Sequence, residues 1–270
     1  MLNKINLGCG NIYLTEDGWT NYDYSPSHSS VQRANLFGPL PIQDESAELV
    51  YSSHFLEHIP YDLVQGFLSE CYRILAPGGI LRLVLPDLEE LCQSYLLHRK
   101  NNEHDLAKVV LLEMIDQCVR RQSGGQLGQL YSRLGTLSSQ NKKIIEFIHY
   151  RTGEDILASA QERSKSRNIN FLRSMRTRLE QAWIRLVVSL LPKAFRSQNV
   201  SLAAVGERHH WLWDFHQLHK LLAETGFASI ARCKADISSF VGFPFYPLDL
   251  DKTGAPRKGA ESMYIEAQKR

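Results

Sequence analysis

KINLGCGN, residues 4–11, carries the strongest structural signal in this sequence. Ile5 and Leu7 are spaced for one face of a short strand, and the turn that follows contains Gly8 and Gly10. Because glycine has no Cβ atom, such a turn lets a ligand lie against the backbone. A strand that enters a glycine turn is typical of an α/β sheet that presents its carboxyl edge to a nucleotide. For two glycines alone, an ordinary strand and turn is the alternative.

The residues after the turn distinguish between kinds of nucleotide. Asp23 ends a second predicted strand, residues 19–23, where a carboxylate can accept hydrogen bonds from both hydroxyls of a ribose. A dinucleotide-binding turn would have a third glycine near Tyr13 and an acidic residue about 20 positions further on. Tyr13 occupies the glycine position and Asp23 comes early, so the sequence does not predict a dinucleotide site.

Two further motifs follow in chain order. ELVYSSH, residues 48–54, predicts a strand that leads into FLEHI, residues 55–59. RILAPGGILRLVLPD, residues 73–87, predicts the end of a helix, a Pro-Gly-Gly turn and a strand that is almost wholly apolar. An apolar strand of this kind is expected in the middle of a parallel sheet, where both faces are covered.

With these motifs in this order, the chain resembles the class I S-adenosylmethionine-dependent methyltransferases, and among them the methyltransferase type 11 group. The resemblance covers residues 3–90 and resumes at HHWLWDF, residues 209–215, and at the tail ESMYIEA, residues 261–267. It implies a Rossmann-like α/β fold, with a mostly parallel seven-stranded sheet whose last strand is antiparallel and with a helical insertion. It also implies S-adenosyl-L-methionine as the cofactor.

Residue by residue, the resemblance implies a cofactor site at the ends of the first four strands. Its members would be Gly8, Cys9, Gly10, Asn11, Asp23, Tyr24, Asn35, Leu36, Ser53 and His54. Relatives usually have an acidic residue where Asn35 stands, and there it meets the adenine amine. The Asn35 amide oxygen can accept the same hydrogen bond, although a simple turn residue is the alternative. For Cys9 we expect a small buried residue rather than a nucleophile.

The composition is that of a globular protein. The chain has 270 residues, of which 43% are hydrophobic and 22% charged. A net charge of +2 gives no reason to expect nucleic acid as a partner. The five cysteines form no CxxC pair, which favours the reducing cytoplasm and no disulfides. No secretory signal and no apolar run of membrane-spanning length is apparent.

The family pattern is interrupted in the middle of the chain. We expect residues 1–99 and 206–270 to form the cofactor-binding domain, and residues 100–205 to form a helical insertion over the carboxyl edge of the sheet. The insertion would be a lid or an acceptor-binding subdomain. Helical spacing is readable at residues 105–121, 141–149 and 171–191.

The third of these helices lies in a basic segment. Residues 161–200 contain nine Lys and Arg residues against two Glu residues, a local charge of +7. The first interpretation is a helix packed on the body of the protein with a solvated basic face. A basic amphipathic helix on anionic lipid, through residues 171–191, is an alternative. A dimer contact or a charged substrate would also account for the charge.

Histidines are the candidate catalytic groups. S-adenosylmethionine already carries its electrophile, so the protein has mainly to orient the acceptor. An acceptor hydroxyl or protonated amine also benefits from a general base, and His58 and His210 are the candidates. We expect Trp211 and His149 to contact the acceptor. For each histidine a backbone-bonding role is the alternative. His209-His210 could suggest a metal ion, but no third ligand has a recognisable spacing, so no metal site is expected.

The sequence therefore favours a methyltransferase that acts on a small-molecule or glycan acceptor, with an oxygen as the preferred acceptor atom. Relatives with such insertions often act on glycans or secondary metabolites, which makes O-methylation of a sugar the first hypothesis. A small-molecule N-methyltransferase and a catalytically idle binding protein of the same fold are the alternatives. The presence of Gly8, Gly10 and Asp23 together disfavours the idle protein.

Overall fold

A computed structural model of the chain describes residues 2–135, 141–158, 179, 182–204 and 206–270. Its strands are β1 Asn3–Leu7, β2 Trp19–Asp23, β3 Val31–Arg33, β4 Ala47–Ser53, β5 Leu75–Pro86, β6 Phe227–Cys233 and β7 Ser262–Lys269. They form a seven-stranded sheet in the order β3-β2-β1-β4-β5-β7-β6. The first five strands are parallel, and β7 is antiparallel to both β5 and β6. This confirms the predicted Rossmann-like fold, with its mostly parallel sheet and antiparallel last strand.

Helices lie between the strands and in the long segment after β5. They are α1 Val64–Ile74, α2 Leu88–Lys100, α3 His104–Leu111, α4 Gln117–Val119, α5 Gly125–Leu134, α6 Lys142–Thr152, α7 Lys193–Asn199 and α8 Phe215–Thr225. A π-helical turn, Leu112–Asp116, joins α3 to α4. Residues 182–189 are also helical. No helix among the described residues is both long enough and apolar enough to cross a membrane.

The main core lies where α1 and α8 pack against the sheet. Helix α1 buries one stripe of apolar side chains, spaced three and four residues apart as an amphipathic helix requires: Val64, Phe67, Leu68, Cys71 and Ile74. On α8 the corresponding buried residues are Leu218 and Leu222. All of them belong to one cluster with the buried side chains of β1, β4 and β5. This core holds the carboxyl ends of the strands in fixed positions.

Two sequence-based boundaries differ from the structure. Strand β3 ends at Arg33 rather than near Leu36, because the Asn35 side chain accepts a hydrogen bond from the Phe37 amide at 3.1 Å and turns the chain. Helix α5 was not predicted, because it lies between the helical stretches that were read at residues 105–121 and 141–149. The Asp116 carboxylate accepts a hydrogen bond from the Gln126 amide at 2.8 Å and so caps the N-terminus of that helix.

The insertion is attached to the body of the protein at α6. A small apolar cluster joins α3, α5 and α6, with Val109, Leu134 and Ile148 at its centre. Buried Arg151 forms ion pairs with Glu113 at 2.7 Å and with Glu90 of α2 at 2.9 Å. The Arg151 carbonyl also accepts the Glu261 amide at 3.0 Å, just before β7.

The predicted helix of residues 171–191 falls only in part on the described chain. Residues 171–178, 180 and 181 lie outside the described residues, whereas residues 182–189 are helical as predicted.

Candidate active site

Four strand ends define one edge of the sheet. Because β1, β2, β4 and β5 are parallel, their carboxyl ends at Leu7, Asp23, Ser53 and Pro86 lie along the same side. Strand β1 lies between β2 and β4, so the chain leaves β1 in one direction along the sheet and later returns on its other side. Ligands of open α/β sheets bind at such a switch point.

The glycine turn is held against β2 by backbone hydrogen bonds. The amides of Gly8 and Cys9 both donate to the Tyr22 carbonyl, at 2.9 and 3.3 Å. The Gly10 amide donates to Asp23 Oδ2 at 2.9 Å, and the Ser25 amide donates to Asp23 Oδ1 at 2.8 Å. Each carboxylate oxygen can accept more than one hydrogen bond, so Asp23 is fixed in place and still has acceptor capacity.

The two glycines of the turn have different surroundings. Gly8 has φ of +68°, and a Cβ atom there would overlap the ring of Phe55. Phe55 therefore fills the space on the side of Gly8 where a Cβ atom would lie. Gly10 has φ of +53°, and a Cβ atom there would meet nothing within 4 Å. The open side of the turn thus lies at Gly10.

The other predicted cofactor residues differ in their exposure and in their contacts. Cys9 is buried, and burial together with the nearby Asp23 charge raises the pKa of its thiol to about 12, so the thiol stays protonated. Asn11 and Tyr24 are exposed beside the turn. Asn35 is exposed, and its amide oxygen bonds the Phe37 amide, as its alternative turn role requires, while Leu36 is buried.

The turn after β4 carries two of the predicted histidines. His54 has φ of +50°, its amide donates to the Val84 carbonyl at 2.7 Å, and its Nε2 lies 3.0 Å from Ser262 Oγ. Burial lowers the pKa of His54 well below its ordinary value, so the ring is neutral. His58 Nδ1 lies 2.8 Å from the Arg208 carbonyl. Since a carbonyl only accepts, Nδ1 carries a proton, and in the neutral ring the lone pair is on Nε2.

Residues 209–213, which contain His209 and His210, lie against the turn after β4. The amides of His210 and Trp211 both reach the Glu57 carbonyl, at 2.6 and 3.4 Å, and the Trp213 carbonyl accepts the Leu88 amide at 2.9 Å. The side chain of His210 is exposed, and partial burial together with the Arg208 charge lowers its pKa. Residues 209–213 therefore join the end of the insertion to the carboxyl edge of the sheet.

Aromatic side chains accompany this segment. Trp211 is 42% exposed and donates its Nε1 hydrogen to Gln217 Oε1 at 2.9 Å. Its ring centroid lies 4.7 Å from that of Tyr61, which stacks on buried Trp213 at 5.5 Å. These rings present a partly open apolar surface beside His210.

His149, the other predicted acceptor contact, is not brought to this surface by any contact among the described residues. It lies exposed on α6, and its Nδ1 is 3.3 Å from the Glu154 carbonyl.

Sequence reasoning missed Glu57, and it set His209 aside because no third metal ligand had a recognisable spacing. Glu57 is 1% exposed, and burial raises the pKa of its carboxyl group. His209 is 8% exposed, and burial lowers its pKa to about 3. The rings of His58 and His209 are 4.8 Å apart, edge to face. A charged residue inside the apolar run of FLEHI was the available signal for Glu57.

Large grooves occur elsewhere in the described chain. One of about 950 Å³ lies in the insertion, where Arg120 pairs with Asp116 at 3.3 Å. A smaller one of about 360 Å³ lies beside Asp87 and Ser262. The glycine turn lines neither groove. The candidate site therefore rests on the geometry of the strand ends rather than on cavity size.

Part of the chain matches the model of a known protein family. Residues 6–83 match the family model described as methyltransferase domain. Among curated proteins, none matches the chain. The match confirms the predicted resemblance and supports S-adenosylmethionine as the cofactor of a methyltransferase.

Solved structures of methyltransferases are also similar, at low identity. An S-adenosylmethionine-dependent methyltransferase from Thermotoga maritima is 13% identical, with 99% of this chain and 82% of that chain covered and a TM-score of 0.39. Another, from Mesorhizobium loti, is 13% identical, with coverages of 99% and 91% and a TM-score of 0.38. A complex of DhpI with SAH is 23% identical over 33% of this chain and 51% of that chain, with a TM-score of 0.28. Scores this low carry no argument beyond the family match.

Proposed function

We propose that this methyltransferase transfers the methyl group of S-adenosylmethionine to an oxygen of a small-molecule or glycan acceptor. The observation that carries the proposal is the arrangement at the switch point. There Asp23 is fixed by the Gly10 amide at 2.9 Å, and the open side of Gly10 leaves room for a ligand. A second proposal, that the protein works in the cytoplasm, rests only on its cysteine usage.

The cofactor would be held by three kinds of contact. The Asp23 carboxylate accepts hydrogen bonds from the ribose hydroxyls. The backbone of the glycine turn lies against the cofactor at Gly10, and residues after β4, including Ser53 and His54, line its other side. Residues 209–213 would then lie along the same carboxyl edge as the bound cofactor.

The acceptor would bind beside residues 209–213. The exposed part of the Trp211 ring gives a flat surface on which the apolar face of a sugar can pack. His210, next to it and exposed, is the proposed general base that removes the hydroxyl proton as the methyl group is transferred. His58 is the second candidate, because its Nε2 keeps a lone pair.

Calorimetric titration with S-adenosylmethionine, followed by a mass-shift screen of hydroxyl and amine acceptors, tests the proposal. We expect binding of the cofactor and a gain of one methyl group on a hydroxyl acceptor. Methylation of amines alone would assign an N-methyltransferase. Cofactor binding with no product from any acceptor would support the idle binding protein.

The role of His210 has its own test on the acceptor found in that screen. His210→Ala should keep cofactor affinity and lose about 10²–10⁴-fold in turnover, the usual effect of a lost general base. The control is His216→Ala, an exposed histidine on α8. Turnover at the parent rate in both His210→Ala and His58→Ala would show that positioning alone drives the reaction.

We also propose peripheral contact with an anionic membrane surface through residues 171–191. Support comes from the described part of this helix, where Trp183, Leu186 and Leu190 are 65%, 55% and 79% exposed. Arg185 and the basic residues around it give residues 161–200 a charge of +7, which is complementary to anionic lipid headgroups.

A further inference from the structure

A cluster of nitrogen and oxygen donors lies beneath the candidate acceptor surface. Glu57, His58 and His209 each present one donor atom, and these three atoms all lie within 4.8 Å of one another. Glu57 and His58 come from the turn after β4, whereas His209 comes from the end of the insertion. The three are neighbours because the His210 and Trp211 amides bind the Glu57 carbonyl.

Two of the three residues in this cluster have buried polar atoms without a hydrogen-bond partner among the described residues. Both carboxylate oxygens of Glu57 are buried and unpartnered, and so is Nδ1 of His209. The ion-pair contacts of Glu57 within the described chain are only to histidines, with His54 Nδ1 at 3.5 Å and His58 Nε2 at 3.9 Å. A buried carboxylate without a hydrogen bond or a cation is costly, and such a group in a folded protein requires an explanation.

Neighbouring groups orient the donors inward. The Arg208 carbonyl accepts the Nδ1 hydrogen of His58 at 2.8 Å, and this leaves the Nε2 lone pair facing Glu57. A metal-bound histidine almost always donates its other ring hydrogen to a carbonyl or carboxylate in this way. His54, whose Nε2 lies 3.0 Å from Ser262 Oγ, is fixed in the same manner beside the cluster.

We propose that Glu57, His58 and His209 bind a divalent transition-metal ion of the zinc type. Two imidazole nitrogens and one carboxylate are a donor set suited to zinc, iron, nickel or cobalt, whereas magnesium and calcium prefer sites made of oxygen atoms. Three protein ligands leave at least one coordination position free for water or another oxygen ligand. Binding would give the two carboxylate oxygens of Glu57 a direct partner, whereas the Lys258 charge acts on Glu57 without a hydrogen bond to it.

Metal binding by Glu57, His58 and His209 does not require methyl transfer. Bound metal would occupy the Nε2 lone pair of His58, and His210 would then be the only one of the two candidate bases with a free ring. It would also fix His209 to the turn after β4 and so hold residues 209–213 on the sheet edge.

Zinc binding by the full chain without cofactor is the direct test. The Cys92→Ser protein, treated with a chelator and dialysed, serves as the parent, because the exposed Cys92 thiol could itself bind zinc. Calorimetric titration with Zn²⁺ should give one tight site per chain. Glu57→Gln and His209→Asn should each weaken it by at least about 100-fold, more than the usual effect of altering a residue behind the ligands. The control, His216→Asn, should bind as the parent does.

Binding of Co²⁺ can be measured on the parent protein by its absorption spectrum, so this measurement does not depend on whether a variant folds. With Co²⁺ the parent should give visible absorption bands of a site with nitrogen and oxygen ligands, and Zn²⁺ should abolish them. Circular dichroism identifies any variant that loses its fold, and such a variant is replaced by His58→Gln. The proposal is overturned if the parent binds no Zn²⁺, or if folded variants of Glu57 and His209 bind it as the parent does. Neither result would bear on S-adenosylmethionine binding, which is measured separately.

Discussion

Asp23 is the residue on which the cofactor site most depends. Its two carboxylate oxygens already accept the Gly10 and Ser25 amides, and the ribose hydroxyls would share the same oxygens. Asp23→Ala should therefore weaken S-adenosylmethionine binding by about 2–3 kcal/mol, the strength of hydrogen bonds to a charged group. Calorimetric titration measures this loss, and the control is Asp17→Ala in the exposed loop before β2. Equal affinity in Asp23→Ala and the parent would remove Asp23 from the site.

The two glycines of the turn should respond differently to the same substitution. Gly8→Ala combines a strained backbone with overlap on the Phe55 ring, so the free energy of unfolding should fall by about 2–5 kcal/mol. Gly10→Ala has only the backbone strain, about 1–2 kcal/mol, but its methyl group enters the open side of the turn. It should stay folded and lose cofactor affinity. Urea unfolding and calorimetry compare the two variants, and the reverse order would place the ligand at Gly8.

At the scale of single residues, only part of the candidate site could be predicted from the sequence. Asp23 could be found because it ends a readable strand next to the glycine turn. The contact of Gly8 with the Phe55 ring and that of Glu57 with His209 could not be found from the sequence. These partners are distant in the chain and meet only through the fold. A spacing pattern in the sequence identifies metal ligands that lie on one helix or loop. Glu57 and His58 come from one segment of the chain and His209 comes from another.

At the scale of elements, α6 is one link between the segment expected to be an insertion and the body of the protein. Arg151→Ala would leave Glu113 buried and without its partner, which costs about 3–5 kcal/mol for a buried ion pair. Urea unfolding of Arg151→Ala measures the loss, and Lys142→Ala, on the exposed side of the same helix, should cost less than about 1 kcal/mol. Equal stability of both variants would mean that the ion pairs of Arg151 with Glu113 and Glu90 do not stabilise the fold.

The helix that includes residues 182–189 should contact lipid through its exposed apolar side chains. The protein should sediment with vesicles that contain anionic lipid at low salt and be released at high salt, because the attraction of basic residues to the surface is screened. Leu190→Ser together with Trp183→Ser should reduce binding, whereas Leu96→Ser, an exposed leucine on α2, should not. Failure to sediment at low salt would contradict the membrane contact.

At the scale of the whole molecule, the cofactor should stabilise the folded state. A ligand that binds only the folded protein adds about 2.7 kcal/mol when present at about 100 times its dissociation constant. For a chain of this size that corresponds to a rise in Tm of roughly 5–10 °C. Differential scanning calorimetry with S-adenosylmethionine, and with methionine as the control, tests this. No shift with S-adenosylmethionine at saturating concentration would contradict the cofactor site.

The sheet was predictable from the sequence to a greater degree than the insertion. The family resemblance implied a mostly parallel seven-stranded sheet with an antiparallel last strand, and the structure confirms both. Helix α5 was missed because its start depends on Asp116, which reaches Gln126 from another helix. The acceptor could not be identified at all, since a flat aromatic surface and a histidine suit many hydroxyl compounds.

The position of β7 between β5 and β6 has a consequence for synthesis on the ribosome. Among the described strands β6 pairs only with β7, so it emerges before its sole partner has been made. Arg82 of β5 likewise finds its buried partners Asp249 and Glu266, at 2.6 and 2.7 Å, only near the end of the chain. Until then its guanidinium group stays hydrated and that side of β5 stays open. The nascent chain therefore completes its sheet from the inside, when β7 inserts, and until residue 262 has been made one edge of β5 and the paired edge of β6 have no partner strand.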